Sequence, residues 1–435
     1  MRVVQVIPSV GDSFYCENCL RDVGLVSALR KQGHEVLMLP MYLPVDLDED
    51  EPSVQTPIFF GGINVYLQQK SAFFRKTPRW IDRLFDSPAL LRWVGRKSNM
   101  TRASDLGRMT ISMLQGREGR QAKELNRLVN WLGAQDNKPD VVLLSNVLLA
   151  GLAGSIRKTL GVPVLCMLQD EDGFLDVLTE PYSTRSWEML TQLAGDIDAF
   201  IAVSRYYADV MRHRLQLVAD RVHVVYPGIS LGGYRRVQGA PEVPTIGFLS
   251  RMCFNKGLDT LVDTFINLKR NDKLSNAQLR IAGGRTAGDR DFINQIRQKL
   301  GDSGFIDDVE FLQDFDNNAR IDFVRTLSVL SVPERQPVAC GLYVLEALAA
   351  GVPVVEPARG AFPELLEMTG GGVLYEPDNT SALSAALEKL LLDRDYARQL
   401  GQQAREAVFA KFDVDQTAAK IARICDGVIQ QFQRG

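Results

Sequence analysis

The residues best suited to chemistry lie in the second half of this 435-residue chain. Arg251 and Lys256 are two cations five positions apart, in a loop that follows an apolar stretch and precedes a helical pattern. Cations on a strand-to-helix loop can converge on one anion, and the helix N-terminus adds about half a positive charge. The spacing therefore predicts an anion site. Two fixed cations would also make a metal ion unnecessary at that site.

A carboxylate, Glu346, marks a second segment with chemical potential. Gly341 precedes it and Gly351 follows it, and these glycines bracket a helical pattern that is apolar on nearly every side. Such a helix is expected to be buried, and a carboxylate in it is costly unless something pairs with it. The acid suits a site that binds hydroxyl donors. From spacing alone, an acid that caps a neighbouring loop is an equally good interpretation.

Two stretches resemble the motifs of one enzyme family. The run EALAAGVPVV, which begins at Glu346, resembles the nucleotide-sugar motif of the retaining GT-B glycosyltransferases of family 4, and the run RMCFNKG, which begins at Arg251, resembles their phosphate motif. The resemblance implies that Arg251 and Lys256 bind the donor diphosphate and that Glu346 holds the donor ribose. Gly11 and Gly283 follow strands, where a glycine allows close backbone approach to a ligand. The residues predicted to bind the donor are Gly11, Arg251, Lys256, Gly283, Gly341, Leu342 and Glu346.

The chain departs from the family pattern at two positions. The first glutamate of the nucleotide-sugar motif would fall at position 338, which is Val338, and the nearest acid upstream is Glu334. Where the family often has a histidine after a strand, this chain has Gln169, which can hydrogen-bond a hydroxyl but cannot carry a proton away at neutral pH. The residues predicted to serve catalysis are Arg251, Lys256, Glu334 and Gln169.

Apolar strands alternate with helical patterns in both halves of the chain, which predicts an α/β fold. Together with the resemblance, this alternation indicates two Rossmann-like doubly wound domains facing across a cleft (GT-B), with a C-terminal helix that crosses back to the N-terminal domain. The predicted boundaries are 1–228 for an acceptor domain with a helical basic insertion at about 65–135, 229–243 for a linker, 244–411 for a nucleotide-sugar domain and 412–435 for the terminal helix.

Composition excludes several classes of protein. One hydrophobic core usually serves a chain of at most about 250–300 residues. This chain has 435 residues with a hydrophobic content of 46%, so two domains are expected. The formal net charge of −3 shows no overall excess of basic residues of the kind that binds nucleic acid. No apolar stretch is long enough for a spanning helix, and Met1-Arg2 leads directly into a strand pattern, so we expect a cytoplasmic chain without a signal peptide. Its six scattered cysteines are expected to be reduced.

Three further features have open interpretations. Residues 70–108 are basic with interleaved aromatics, which fits a helical insertion packed on its domain, peripheral contact with a membrane, or an acidic acceptor. The Cys16–Cys19 pair is a lone CxxC motif without the second ligand pair of a zinc site. Asp170, Glu171 and Asp172 are interpreted as loop acids, because no independent ligand set supports a metal site.

The sequence therefore predicts a retaining, metal-independent hexosyltransferase. It would use a nucleoside diphosphate-sugar donor, no further cofactor, and a carbohydrate, lipid-linked or small-molecule acceptor, with no nucleic acid. The alternative is a catalytically weakened GT-B protein that binds a nucleotide or glycan without transfer, a view that Val338 favours. A phosphorylase on the same scaffold would generally need a lysine-bound pyridoxal phosphate, and no lysine has a distinctive setting for one.

Overall fold

The computed structural model describes residues 1–8, 17–41, 103–134, 138–235, 241–270, 272–312 and 317–434. Gly11, Cys16 and most of the basic segment 70–108 lie outside these ranges, so the interpretations given to them stay predictions. The chain divides into two compact units. Unit 1 comprises Met1–Asp12, Asn18–Tyr226 and Thr417–Gly435, and unit 2 comprises Ser13–Glu17 and Pro227–Gln416.

Unit 1 is built on a six-stranded parallel sheet with the order β2-β1-β3-β4-β5-β6. Its strands are β1 Arg2–Ile7, β2 Glu35–Pro40, β3 Val141–Leu144, β4 Val164–Leu168, β5 Ala199–Ala202 and β6 Val222–Val224. The helices between them are α1 Glu17–Lys31, α2 Ala103–Leu114, α3 Ala122–Leu132, α4 Ala153–Leu160, α5 Glu171–Leu175, α6 Tyr182–Leu193 and α7 Arg205–Leu215. Every residue of β3, β4 and β5 is buried, as expected for parallel strands covered on both faces.

Unit 2 repeats the plan with a second six-stranded parallel sheet, in the order β12-β11-β10-β7-β8-β9. Its strands are β7 Thr245–Leu249, β8 Gln278–Ala282, β9 Val309–Leu312, β10 Val329–Leu330, β11 Val354–Pro357 and β12 Gly372–Tyr375. Its helices are α8 Leu258–Lys269, α9 Arg290–Asp302, α10 Asn317–Arg325, α11 Leu342–Ala349, α12 Phe362–Thr369, α13 Thr380–Leu392 and α14 Arg394–Lys411. The predicted fold class, with two doubly wound α/β units, is confirmed.

Helix α11 is the buried helix that the apolar pattern predicts. All eight of its residues are buried, including Glu346. Gly341 precedes the helix with φ 83° and Gly351 follows it with φ 80°, both in the left-handed region that glycine tolerates best. The chain can therefore turn sharply into and out of a helix that has no exposed face.

The last helix, α15 Val414–Arg434, returns to the first unit, as the resemblance implies. From Thr417 onward it belongs to unit 1, where the Thr417 hydroxyl donates to the Tyr226 carbonyl at 3.0 Å. Near its end, the Arg157 guanidinium lies 5.2 Å from the centre of the Phe432 ring. Within the described ranges, no helix is both long enough and apolar enough to cross a membrane.

Two strands are shorter than the apolar runs predict. Strand β10 begins only at Val329, because Leu327 still donates its N–H to Val324 at the end of α10. Strand β6 ends at Val224, although the apolar run continues to Ile229, because Pro227 has no N–H to donate to a neighbouring strand.

Candidate functional site

The loop after β7 carries the two predicted anion-binding cations. A 3-10 turn at Phe254–Lys256 leads to Gly257, whose φ of 68° starts α8. A Cβ on Gly257 would lie 1.9 Å from the carbonyl oxygen of Pro333, so only glycine lets the two loops approach this closely. Lys256 is thereby held one residue before a helix N-terminus, a position that favours anions.

Arg251 is oriented by an acid on the neighbouring loop. Its Nε and Nη2 donate to the two carboxylate oxygens of Asp289, both at 2.9 Å, and Nη2 also donates to the Thr286 hydroxyl. Burial opposes charge on the guanidinium, but Asp289 outweighs that effect and raises the pKa of Arg251. Among the described residues Nη1 has no hydrogen-bond partner, and the side chain is 41% exposed. Arg251 can therefore bind a further anion without leaving Asp289.

Residues 250–257, between β7 and α8, are here called the cation loop. Gly283 allows the loop after β8 to pack against the cation loop. Its φ is 134°, and a Cβ would lie 2.0 Å from the Ser250 carbonyl oxygen. The Met252 N–H donates to the Gly284 carbonyl at 2.9 Å. The close approach at Gly283 is thus made to the protein's own loop, and its contact with the donor stays a prediction.

Lys256 and Glu334 are brought together, although 78 positions separate them. Lys256 Nζ donates to Glu334 Oε1 at 2.6 Å, and the Tyr343 hydroxyl lies 3.4 Å from the same oxygen. The Glu334 side chain is 2% exposed and that of Lys256 is 29% exposed. A carboxylate is therefore fixed beside the cation that the sequence assigns to the diphosphate.

Residues 331–341, here called the motif loop, are fastened to the start of α8 by Arg335. Its guanidinium donates to both carboxylate oxygens of Asp259 at 2.7 and 2.8 Å and stacks 3.8 Å from the centre of the Phe254 ring. The Arg335 N–H also donates to the Asn255 carbonyl at 3.0 Å. Bidentate arginine–carboxylate pairs fix both distance and orientation, so the motif loop cannot shift independently of Lys256.

Val338, where the family has its first glutamate, is buried in the motif loop. Its carbonyl accepts from the Ala361 N–H at 3.0 Å, and a Cβ on Gly360 would lie 2.6 Å from the backbone of Val338. Glu364, three residues beyond Ala361, is buried in the first turn of α12. The backbone here is tightly clamped, while the nearest acid upstream, Glu334, is the one that contacts Lys256.

Glu346 is paired with a cation that the sequence analysis did not identify. Arg320 Nε on α10 lies 2.9 Å from Glu346 Oε1, an ion pair rather than a well-aligned hydrogen bond. The two side chains are 11% and 3% exposed, and the buried Tyr234 phenol lies beside them. Arg320 offsets the cost of burying the carboxylate on an apolar helix.

Glu356, near the end of β11, is a buried acid that the sequence analysis missed. It is fully buried; Oε1 accepts from the Val332 N–H at 3.3 Å, and Oε2 has no partner among the described residues. Burial, reinforced by the charge of Glu334, raises the pKa of Glu356 well above the usual range for a glutamate. The signal in the sequence was an acid inside the apolar run Val354–Pro357.

A cavity of about 260 Å³ opens beside the motif loop. Glu334 and Arg335 line it together with Thr260, Tyr375 and Asp378. Ligand pockets usually measure roughly 300–1,000 Å³, so this cavity suits a small polar molecule.

In unit 1, Gln169 lies at the carboxyl end of β4. Its side-chain amide donates to the Ser145 carbonyl, and its N–H donates to Glu171 at 2.6 Å. Glu171 also accepts from the Val147 N–H and the Tyr207 hydroxyl, and burial raises its pKa to about 7. Glu171 is thus a buried acid that joins the ends of neighbouring strands. Across the described ranges, no group of three or more His, Cys, Asp or Glu side chains could hold a metal ion.

Two family models match the chain in succession. The description of one is "Glycosyltransferase Family 4", over residues 104–232, and that of the other is "Glycosyl transferases group 1", over residues 234–407. The chain belongs to the family 4 glycosyltransferases. The second match contains both the cation loop and the motif loop of this chain.

The chain spans about half the length of the curated relatives that it matches. A GDP-mannose-dependent alpha-(1-6)-phosphatidylinositol monomannoside mannosyltransferase of Mycobacterium tuberculosis is 31% identical over 192 residues, 43% of this chain and 48% of the relative. A D-inositol 3-phosphate glycosyltransferase of Nocardia farcinica is 26% identical over 232 residues, 50% of this chain and 51% of the relative.

Solved structures resemble this chain over nearly its whole length. Sucrose-phosphate synthase from Thermosynechococcus elongatus has a TM-score of 0.68 at 18% identity and covers 100% of both chains. Anabaena HepE, in complex with UDP and glucose, has a TM-score of 0.67 at 15% identity and covers 98% of this chain and 100% of its own. At these identities the likeness shows the GT-B fold.

The close approach at Gly257 gives a first prediction. We expect Gly257→Ala to lower the free energy of unfolding by more than about 3 kcal/mol, because a left-handed non-glycine residue costs roughly 1–2 kcal/mol and the clash with Pro333 adds to it. Gly304→Ala is the matched control in the same unit, since its φ is 78° and nothing lies within 4 Å of its Cβ position. Urea unfolding measures both variants, and equal losses would contradict the account.

The buried acid Glu356 gives a second prediction. Its pKa is raised in the folded state, so the folded chain binds more protons than the unfolded one above pH ~4.3, and stability is lost as pH rises through the folded pKa. Glu356→Gln cannot ionise. We therefore expect the Tm of Glu356→Gln to lie several degrees above that of the unaltered protein at pH 8, and the two to differ little at pH 5. Each 1 kcal/mol of unfolding free energy shifts the Tm by about 2–4 °C.

Thermal unfolding between pH 5 and pH 8 measures this gap. Glu406→Gln, at an exposed position on α14, controls for the loss of a surface charge. A gap for Glu356→Gln that does not grow with pH would be inconsistent with a buried, uncompensated carboxyl.

Proposed function

We propose that the protein transfers a sugar from a nucleoside diphosphate donor to a hydroxyl acceptor with retention of configuration and without a metal ion. The observation that carries the proposal is the pairing of the cation loop with a buried carboxylate, Lys256 Nζ to Glu334 Oε1 at 2.6 Å. Family membership supports the reaction class. The Anabaena structure with UDP and glucose supports a nucleoside diphosphate as the donor part.

In this proposal the cation loop stabilises the leaving group. Breaking the bond between sugar and diphosphate leaves negative charge on the phosphate oxygens, and fixed cations stabilise charge where it develops. Arg251 offers Nη1 while Asp289 holds the rest of its guanidinium, and Lys256 extends from the turn before α8. For retention, the departing phosphate takes the proton of the acceptor hydroxyl, so a separate protein base is not required.

The carboxylates bind hydroxyl groups of the donor. Glu346, held by Arg320, accepts from the ribose hydroxyls, and Gly341 and Leu342 approach the donor at the start of α11. Glu334 takes the part of the glutamate missing at position 338 and accepts from a hydroxyl of the transferred sugar. Its contact with Lys256, which the proposal places on the diphosphate, supports this role.

The alternative is a protein that binds a nucleotide or glycan without transfer. The buried Val338 favours it, because an apolar side chain cannot replace a sugar contact. Donor turnover separates the two. Slow release of sugar from the nucleoside diphosphate-sugar that binds favours the transferase, and nucleotide binding without any release favours the alternative.

Nucleotide affinity tests the donor site directly. We expect UDP, GDP or ADP to bind with micromolar affinity in isothermal titration, and Arg251→Gln to weaken that binding at least about tenfold, or ~1.4 kcal/mol, because the diphosphate loses a fixed cation. Arg398→Gln removes an arginine that is 67% exposed and pairs with Asp395, and it serves as the matched control. Failure of all three nucleotides to bind, or unchanged affinity in a folded Arg251→Gln protein, would overturn the donor site.

A further inference from the structure

Glu356 lies next to the start of the motif loop, although the proposed function gives it no role. It is the third residue of β11, which pairs with β10 in the sheet. Its Oε1 accepts from the Val332 N–H at 3.3 Å, and the Ser331 hydroxyl donates to the carbonyl of Val355 at 2.6 Å. The motif loop is therefore held against this end of β11 only two residues before Glu334.

The Glu356 carboxyl is sealed from water and incompletely paired. The residue is 0% exposed, and Oε2 has no hydrogen-bond partner among the described residues. An ionised carboxylate with a single long hydrogen bond would be an uncompensated charge, which a protein interior disfavours strongly. The carboxyl is therefore neutral over a pH range in which an exposed glutamate is ionised.

The charges closest to Glu356 do not compensate an ionised carboxylate. After burial, the acids Glu334 and Glu17 raise its pKa, whereas its hydrogen bond and the charge of Lys256 lower it. Glu17, which belongs to unit 2, accepts from the Leu342 N–H at 2.7 Å. Lys256 is already paired with Glu334 at 2.6 Å. An ionised Glu356 would therefore compete with Glu334 for the same ammonium group.

The remaining neighbours of Glu356 are neutral or paired elsewhere. Burial, reinforced by the charge of Glu356, raises the pKa of Tyr343 on α11 and of Tyr375 on β12, so both phenols are neutral. Arg359, two residues beyond β11, pairs with Asp378 at 2.6 Å. These groups leave the state of Glu356 to depend on the charges around Lys256.

The proton on Glu356 in turn decides the charge balance at Lys256. With Glu356 neutral, Lys256 is balanced by Glu334, and its side chain is 29% exposed and can also contact an incoming anion. With Glu356 ionised, a further negative charge would lie near the same lysine and would repel a diphosphate. One unpaired charge near a binding cation changes affinity by about tenfold or more.

We propose that Glu356 is a positioning residue of the donor site, and that its neutral form both holds the motif loop and permits anion binding at Lys256. Binding of the anion and protonation of Glu356 then favour each other, because linkage between two sites is reciprocal. The identity of the anion as a nucleoside diphosphate rests on the proposed function.

The test is isothermal titration of the full chain with UDP, GDP and ADP between pH 7 and pH 9. In the unaltered protein we expect affinity to fall about tenfold as Glu356 ionises. Glu356→Gln keeps an oxygen for the Val332 N–H and cannot ionise, so its affinity should stay at the pH 7 value. The same nucleotide is used for each protein, so its own ionisation cancels. Glu406→Gln, at an exposed position on α14, should behave as the unaltered protein does.

A second variant separates positioning from proton binding. Glu356→Met has a similar volume but offers no oxygen to the Val332 N–H, so we expect affinity to be several-fold weaker than in Glu356→Gln at every pH, without a fall at alkaline pH. Thermal unfolding checks that each variant is folded at each pH. Equal affinity in folded Glu356→Met and Glu356→Gln would refute the positioning role.

Infrared spectroscopy reports the proton directly. A protonated carboxyl has a C=O stretching band that ionised carboxylates lack, and a band present in the unaltered protein but absent from Glu356→Gln belongs to Glu356. We expect this band to fade as pH rises and to return when the nucleotide that binds is added. A band that the nucleotide leaves unchanged at the pH where it has half faded would contradict the linkage.

The outcomes distinguish this inference from the proposed function. Nucleotide binding with the same pH dependence in the unaltered protein and in Glu356→Gln would refute only the role of Glu356. Failure of UDP, GDP and ADP to bind at pH 7 would overturn the proposed donor site, and this inference with it.

Discussion

The candidate donor site depends on one constraint, the fastening of the motif loop to the start of α8. Arg335 forms a bidentate pair with Asp259 and stacks on Phe254, Gly257 lets Pro333 approach, and Lys256 closes the contact through Glu334. These contacts join the loops that follow β10 and β7, which are neighbours in the sheet. Because both loops are held by backbone and bidentate contacts, Lys256 and Glu334 have a fixed spacing before any ligand arrives.

Most of the fold could be predicted from the sequence, because local patterns specify it. Buried parallel strands appear as apolar runs, and glycines such as Gly341 and Gly351 mark the ends of a helix by their positive φ. Helix α11, Leu342–Ala349, lies between the two glycines that bracket the predicted helix. Errors arose where a run was apolar for another reason, as at Leu327, whose burial serves the end of a helix rather than a strand.

The site was only partly predictable, because pairing between distant segments leaves little local signal. The spacing of Arg251 and Lys256 identified a loop, but not Asp289, which orients Arg251. The acid in α11 was found, but its partner Arg320 was not. Buried acids that hold a site together, such as Glu356 and Glu171, resemble ordinary polar residues in a sequence until their burial is known.

The central claim is that Glu334 supplies the carboxylate missing at position 338, and a rescue experiment on donor turnover tests it most directly. Glu334→Gln should slow release of sugar from the bound nucleoside diphosphate-sugar by about 100-fold, the effect of removing one preorganised polar contact. Adding Val338→Glu to the Glu334→Gln variant should raise the rate of sugar release at least about tenfold, since it returns a carboxylate to the same loop. Nucleotide affinity and thermal unfolding are measured alongside. Turnover by Glu334→Gln at the rate of the unaltered protein, or no turnover by the unaltered protein itself, would contradict the account.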